Sequence, residues 1–272
     1  MSNIKPPHID WLVNSGIKLK TSDGKNVEVW DFLHIDDDIV IAEWAKHFRN
    51  HYCSDHEIDE LRDGTGLSRS DYLLNLVFPD SSLAPGPSIR AGDFGEILVA
   101  DYLRFILQYW VPHFRYDDKA VRDESTKGAD ILGFKFFSKN ESQKDILAVY
   151  EAKAKLTGDP VNRLQDAIND SVKDITKLRS SISLNALKRK LIREKRIEEA
   201  SKVKRFQNLV DRPYKEISGA AAILSNNVYD EQLLKTTDTS IHPNNNLKLL
   251  VIKGEDLMPL VHKLYDKAAN EA

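Results

Sequence analysis

Residues 145–155, DILAVYEAKAK, decide both the fold class and the candidate chemistry of this chain. The apolar run 146–150 predicts a strand in a core, and Glu151 and Lys153 stand at its far end. Side chains two residues apart on a strand point to the same face, so these two charged groups should project together. A solvated edge strand with a surface ion pair would have the same local sequence. The Glu-x-Lys pattern therefore needs support from elsewhere in the chain.

Composition places the chain among ordinary globular proteins. Its 272 residues are 41% hydrophobic and 30% charged, which is enough to bury a substantial core. The net charge of −3 excludes a uniformly basic protein, so any nucleic-acid surface has to be local. Cys53 is the only cysteine and excludes an intrachain disulfide. With neither a signal-peptide core nor a run of about 18 apolar residues, we expect a cytoplasmic protein without a membrane span.

Charge divides the chain more clearly than hydrophobicity does. Residues 1–80 carry 15 acidic and 8 basic side chains, whereas residues 188–215 carry 11 basic and 4 acidic ones. The stretch SSLAPGPS, 81–88, has the composition of a joint. The predicted division is an accessory, partner-docking region at 1–85 and a core at 86–272, with a basic helical arm at about 183–212.

The order of predicted elements indicates a mixed α/β core preceded by an α+β extension. In the extension, Asp23-Gly24 supplies turn chemistry for a hairpin, and a helix follows. The core is predicted as a helix at 92–110, a strand-like segment at 114–122, strands at 128–137 and 145–155, a helix beyond residue 160, strands at 220–225 and 247–254, and a terminal helix.

Folding strand 128–137 back onto strand 145–155 gathers charged groups. A symmetric register places Asp130 opposite Lys153, about 5 Å away, and diagonal to Glu151, about 7–8 Å away. Two carboxylates in a partly buried site cost free energy unless a cation compensates them. Hard oxygen ligands favour Mg²⁺ or Mn²⁺ for that role.

Glu96 is a further candidate ligand. It stands in an otherwise apolar helix directly after Gly95, a residue that allows close backbone approach. The helix should pack on the sheet, so Glu96 could reach the same centre. A metal there could polarise a phosphate oxygen, while Lys153 orients the attacking water or stabilises developing charge.

Together, Gly95-Glu96, Asp130 and Glu151-x-Lys153 resemble the PD-(D/E)xK metal-dependent nuclease superfamily over roughly residues 90–260. The resemblance implies a restriction-endonuclease-like αβββαβ core. It also implies that Asp130 and Glu151 bind Mg²⁺, that Lys153 is catalytic and that Glu96 supports them.

Two neighbouring positions bear on this resemblance. Ala129 replaces the proline of the motif, which is often absent in such nucleases. Gln165, on the following helix, is a possible accessory residue.

More narrowly, the joint pattern GDFGEILVADYL, KGADILGF and VYEAKAK resembles the HamA family, the nuclease subunits of the bacterial Hachiman antiphage system. The related phage-defence protein AbpA looks similar. This resemblance implies an antiviral DNA endonuclease in the bacterial cytoplasm, with little sequence specificity. A helicase partner, HamB, would hold the nuclease in check.

The basic arm is the candidate DNA-binding surface, because a DNA-cleaving site needs positive charge nearby. A solvated helix neutralised by its own glutamates, or a face that meets an acidic partner, are alternatives. The predicted contacts are Lys188, Arg189, Lys190, Arg193, Lys195 and Arg196.

The histidines near residue 50 offer a possible zinc cluster with Cys53. Only one thiol is present, and the spacing of His47, His51 and His56 matches no standard finger. A polar helix face explains His47 and His51 equally well.

Two other functions remain open from the sequence. A non-catalytic adaptor could keep the fold for binding DNA or protein, and a nuclease of the same chemistry could act on RNA. The four charged positions 96, 130, 151 and 153 favour an enzyme over the adaptor.

Overall fold

The computed structural model describes residues 5–113, 115–116, 119, 121–124, 128–174, 177–211 and 213–272. Within these ranges a mixed β-sheet is covered by helices on both faces. None of the helices there combines the length and apolar character that crossing a membrane requires. The strands are β1 (Leu12–Asn14), β2 (Leu19–Lys20), β3 (Asn26–Phe32), β4 (Ile131–Lys135), β5 (Ile146–Lys155), β6 (Lys215–Ser225) and β7 (Lys248–Gly254). The helices are α1 (Asp38–Arg49), α2 (Ile58–Arg62), α3 (Arg69–Tyr72), α4 (Gly86–Asp101), α5 (Arg163–Val172), α6 (Leu178–Arg193), α7 (Ile197–Lys204), α8 (Glu231–Lys235) and α9 (Leu257–Asn270), with 3-10 turns at Pro7–Trp11 and Asn226–Val228 and π-helical turns at Leu73–Val77 and Tyr102–Ile106.

The sheet confirms the predicted mixed α/β fold class. Its strand order is β1-β3-β7-β6-β5-β4, with β2 paired to β3. The pairs β3–β7, β7–β6 and β6–β5 are parallel. The edge strands β1 and β4 run antiparallel to their neighbours β3 and β5. Strand β3 comes from the N-terminal region, so that region contributes to the same sheet as the core. Its role in docking a partner stays a prediction.

Alternation along β5 assigns each side chain to one of two helical layers. Ala148 and Tyr150 pack in the layer of α4 and α9, whereas Leu147 and Val149 pack against α6 and α7. Because strand side chains alternate, Glu151 lies on the α5 and α6 side. The apolar run thus forms the predicted core strand, and the charges at its end face a helical layer.

The helix α4 approaches the sheet at Gly95. A Cβ at this position would lie 3.2 Å from Ile223 Cδ1 and 3.3 Å from Ala154 Cβ. The missing side chain therefore sets how closely α4 sits on β5 and β6, and with it the position of Glu96.

The strand predicted at 114–122 is absent from the described residues of that segment, which lie in bends and turns. Residues 114, 117, 118 and 120 fall outside the described ranges. Just upstream, Trp110 and Phe134 exchange backbone hydrogen bonds of 2.8 and 2.9 Å, an isolated bridge. Arg115 and Tyr116 direct their side chains to acidic groups of the core instead of joining a ladder.

The predicted register of β4 on β5 is wrong by two residues. Ile131 pairs with Tyr150, so continuing the ladder brings Asp130 level with Glu151 and not with Lys153. The connecting loop is asymmetric because Asp145, at its end, accepts backbone hydrogen bonds from Phe137 and Ser142. A shift of two keeps every side chain on its predicted face.

Replacing Gly95 with Val should lower the free energy of unfolding by about 1–3 kcal/mol, because the new side chain overpacks the contact with Ile223 and Ala154. Gly92→Val is the matched control on the same helix, since a Cβ there meets nothing within 4 Å. Urea denaturation of both variants measures the difference. Equal destabilisation by the two changes would contradict this account of the helix–sheet spacing.

Candidate active site

The structure brings two of the three predicted acids together around one arginine. Arg115 Nε lies 3.3 Å from Glu96 Oε2, and its Nη1 lies 3.2 Å from Asp130 Oδ1. The guanidinium is buried, with 6% of its side chain exposed. Asp130 is also close enough to Glu151 to raise the pKa of that carboxyl. Glu96 therefore reaches the β4–β5 end from the opposite helical layer, as expected.

The environment of Glu96 disfavours its ionised form. The hydroxyl of Tyr116 donates to its Oε2 at 2.6 Å. The pKa of Glu96 is raised to about 8: burial is the largest cause, the charges of Asp130 and Asp93 act in the same direction, and Arg115 opposes them. Desolvation and like charge both disfavour the ionised form, so this carboxyl is poised to accept more positive charge than Arg115 supplies.

Glu151 has a separate guanidinium. It is buried, and its Oε2 lies 3.1 Å from Arg179 Nη2. The same arginine donates to the carbonyl oxygens of Gly128 and Asp170 at 2.7 and 3.0 Å. Burial, followed by the charge of Asp130, raises the pKa of Glu151 to about 8 despite this partner.

Lys153 presents a cation on the same strand face. Its Nζ lies 2.5 Å from Asp170 Oδ2 on α5, and about a third of its side chain is exposed. Burial acts to lower the pKa of Lys153, but hydrogen bonding to Asp170 and the charges of Asp130 and Glu151 outweigh it and raise the pKa. The amine is therefore protonated at neutral pH and positioned by a helix residue.

A cavity of about 30 Å³ opens beside Glu96 and Asp130. One water molecule needs about 10–15 Å³ of such a cavity, so about two water molecules would fit. Arg115 and Tyr116 form part of its wall. Polar groups can thus be hydrated on the inner side of the acids.

The donor chemistry fits a hard divalent ion, although the acids are held by arginines. Carboxylate oxygens are the ligands that Mg²⁺ prefers. Burial, with the charge of Asp130 added, raises the pKa values of Glu96 and Glu151, and a cation would relieve both effects. The oxygens of Glu96, Asp130 and Glu151 are not grouped within 4.8 Å of one another in the described residues. An ion shared by all three would require the guanidinium contacts to change.

Several residues of this site were missed from the sequence. Arg115 and Tyr116 were predicted to lie in a strand, and Arg179 lies upstream of the basic cluster. Asp170, which holds Lys153, is a polar position on an amphipathic helix. The sequence gives little indication of such residues, because a single charged residue in a polar segment is not part of any periodic pattern.

The accessory candidate Gln165 does not contact the acids. Its amide exchanges hydrogen bonds with the backbone of Asp238, at 2.8 and 3.2 Å. In the structure this side chain ties α5 to a neighbouring loop.

The basic arm forms the hairpin of α6 and α7, whose apolar side packs on β4 and β5. Three predicted DNA-binding residues have partners within the arm and its continuation: Lys190 pairs with Glu194, Arg196 with Glu194 and Glu199, and Lys188 with Gln207. Arg189, Arg193 and Lys195 are exposed. Acidic partners therefore neutralise some of the basic side chains of the arm, as one of the alternatives predicted. The exposed arginines and lysine still form a basic surface.

Comparison with protein families shows where this chain belongs. The family model for HamA matches residues 6–268, nearly its whole length. The chain belongs to the HamA family. Membership suggests a role in Hachiman defence. A comparison with curated proteins finds no match.

For this HamA-family chain, the raised pKa of Glu151 predicts a pH-dependent effect of substitution. Between the ordinary carboxyl pKa of 4.5 and about 8, the folded state binds more protons than the unfolded state, so this group's contribution to stability falls as pH rises. Glu151→Gln should leave stability nearly unchanged at pH 5 and raise it by on the order of 1–2 kcal/mol at pH 9.

Denaturant unfolding in the presence of a chelator, at both pH values, measures this effect. Glu43→Gln is the control, because Glu43 is exposed on α1. A gain for Glu151→Gln of the same size at pH 5 and pH 9 would contradict the prediction.

Proposed function

We propose that this chain is a Mg²⁺-dependent nuclease of the PD-(D/E)xK type that hydrolyses phosphodiester bonds in DNA with little sequence specificity. In this proposal it acts in antiphage defence with a helicase partner, which restrains it. Membership of the HamA family supports the defence role. The chemistry is supported by the site itself.

One observation carries the proposal. The charge of Asp130, directly before β4, acts to raise the pKa of both Glu96 on α4 and Glu151 on β5, and Lys153 stands near these acids on β5. Two guanidinium groups lie beside these acids, yet burial and like charge keep the pKa values of Glu96 and Glu151 at about 8. Strongly perturbed groups of this kind cluster at functional sites.

The residues proposed to hold the metal are Asp130 and Glu151, with Glu96 in support. Mg²⁺ or Mn²⁺ would polarise the scissile phosphate and lower the pKa of bound water. Lys153, kept protonated by Asp170, would orient the attacking water or stabilise the charge that develops on the phosphate. Its exposed fraction of about a third leaves the amine accessible to a substrate.

The exposed basic residues of α6 support DNA as the substrate. Arg179 and Arg193 are both on α6, and 14 residues of helix span about 21 Å. A duplex contacting Lys153 could therefore extend along the arm and meet Arg189 and Arg193. Contacts of this kind, made to phosphates, are largely independent of base sequence.

Plasmid nicking by the free subunit tests the activity. We expect Mg²⁺-dependent nicking that falls by about 100-fold or more in Glu151→Gln and Lys153→Ala, because each change removes a group that acts on the reacting phosphate. Lys155→Ala, two residues along the same strand, and Glu141→Gln, in the β4–β5 loop, are the matched controls and should keep activity.

The same assay with RNA separates the alternatives. Cleavage of RNA alone would make RNA the substrate. DNA binding that survives Glu151→Gln, without cleavage by the wild-type chain at any metal concentration, would leave the adaptor function. Equal losses in the controls would show that the assay reports folding.

Arg179 and a metal ion should compete for Glu151. Because Arg179 supplies a positive charge 3.1 Å from Glu151 Oε2, Arg179→Gln should tighten Mn²⁺ binding, by about tenfold if one charged hydrogen bond is released. Calorimetric titration measures the affinity, with the exposed Arg189→Gln as control. Weaker binding in Arg179→Gln would instead make this arginine a supporting element of the metal-bound site.

A further inference from the structure

A second cluster of ligand-type side chains lies away from the acids, where the N-terminal region meets α4. His8 is in the turn Pro7–Trp11, His47 is on α1, and Asp101 is the last residue of α4. His8 Nε2 lies 3.0 Å from Asp101 Oδ2, and His47 Nε2 lies 2.9 Å from Asp101 Oδ1. One ligand atom from each residue lies within 4.8 Å of the other two.

The cluster is largely buried. His8 is fully buried, and 2% of the Asp101 side chain and 16% of the His47 side chain are exposed. The ring of His8 stacks on Trp44, with centroids 4.5 Å apart. His8 Nδ1 has no hydrogen-bond partner in the described part of the chain, so the ring is oriented by its Nε2 contact and by stacking.

We propose that His8, His47 and Asp101 form a zinc site that fastens the N-terminal region to α4. Two imidazole nitrogens and a carboxylate are one of the ligand sets of three-residue zinc sites, in which water takes the fourth position. No fourth ligand atom of the described residues lies within 4.8 Å of all three, which leaves that position to water. The partly exposed edge of His47 is the route by which an ion and its water would enter.

The distances allow an ion with small movements. Ligand atoms about 2.1 Å from a tetrahedral zinc lie roughly 3.4 Å from one another. His8 and His47 contact different oxygens of Asp101, at 3.0 and 2.9 Å. If both oxygens faced the ion, each contact would lengthen by a few tenths of an ångström. Without an ion, the same distances are hydrogen bonds in which both imidazoles donate to one buried carboxylate, and this is the competing explanation that the experiment has to exclude.

The site differs in chemistry from the acids around Arg115. Imidazole nitrogen favours zinc and related transition ions, whereas carboxylate oxygens favour Mg²⁺. An excess of Mg²⁺ would therefore occupy carboxylate sites without displacing zinc from the histidines. The two sites can be tested independently, and failure of one leaves the other standing.

Metal binding to the untagged, chelator-treated full-length chain tests the proposal. In millimolar Mg²⁺, we expect one equivalent of Zn²⁺ to bind and to raise the melting temperature, and Co²⁺ to give the visible bands of a tetrahedral site. His47→Gln should weaken Zn²⁺ binding by more than about tenfold. Mutating a residue that only hydrogen-bonds to a metal ligand already lowers metal affinity by about that factor. His56→Gln, an exposed histidine near α2, is the matched control and should bind as the wild type does.

Two results would overturn the proposal: a wild-type chain that binds no Zn²⁺ under these conditions, or equal binding by His47→Gln and His56→Gln. If His47→Gln does not fold, X-ray absorption of the zinc-loaded wild-type chain decides. Two imidazole ligands with oxygen support the site. A sulfur ligand from Cys53, or oxygen ligands alone, would contradict it.

Discussion

Compensation of buried negative charge is the constraint on which the rest of this structure depends. Glu96, Asp130 and Glu151 come from three elements, and each would repel the others in a partly dehydrated site. Arg115 joins the first two, and Arg179 holds the third. The acids can therefore be held close together in the folded chain by protein groups alone. Arg115 lies in a bend outside the sheet.

The strand β5 organises this arrangement because its two faces serve different layers. One face packs on α4, which supplies Glu96, and the other faces α5 and α6, which supply Asp170 and Arg179. Parallel neighbours on one side and the antiparallel edge strand β4 on the other fix its position. The alternation of side chains along β5 thus determines both how the core packs and where the charged groups lie.

Much of this could be predicted from residues whose pattern is local. The apolar run of β5, the turn at Asp23-Gly24 and the glycine before Glu96 each have a physical meaning that does not depend on distant contacts. The register of β4 could not be predicted, because it depends on how Asp145 closes the loop.

The arginines could not be predicted either, since a guanidinium reaches its carboxylate only through tertiary structure. The sequence around His47 indicated His51, Cys53 and His56 as the other members of its cluster. Its partners in the structure are His8 and Asp101, 39 positions before it and 54 after it.

The helix α4 connects the histidine cluster to the acids. Glu96 and Asp101 both lie on it and are separated by about 7.5 Å along the helix axis. A displacement of the N-terminal turn that moves Asp101 could therefore be transmitted along the helix axis to Glu96.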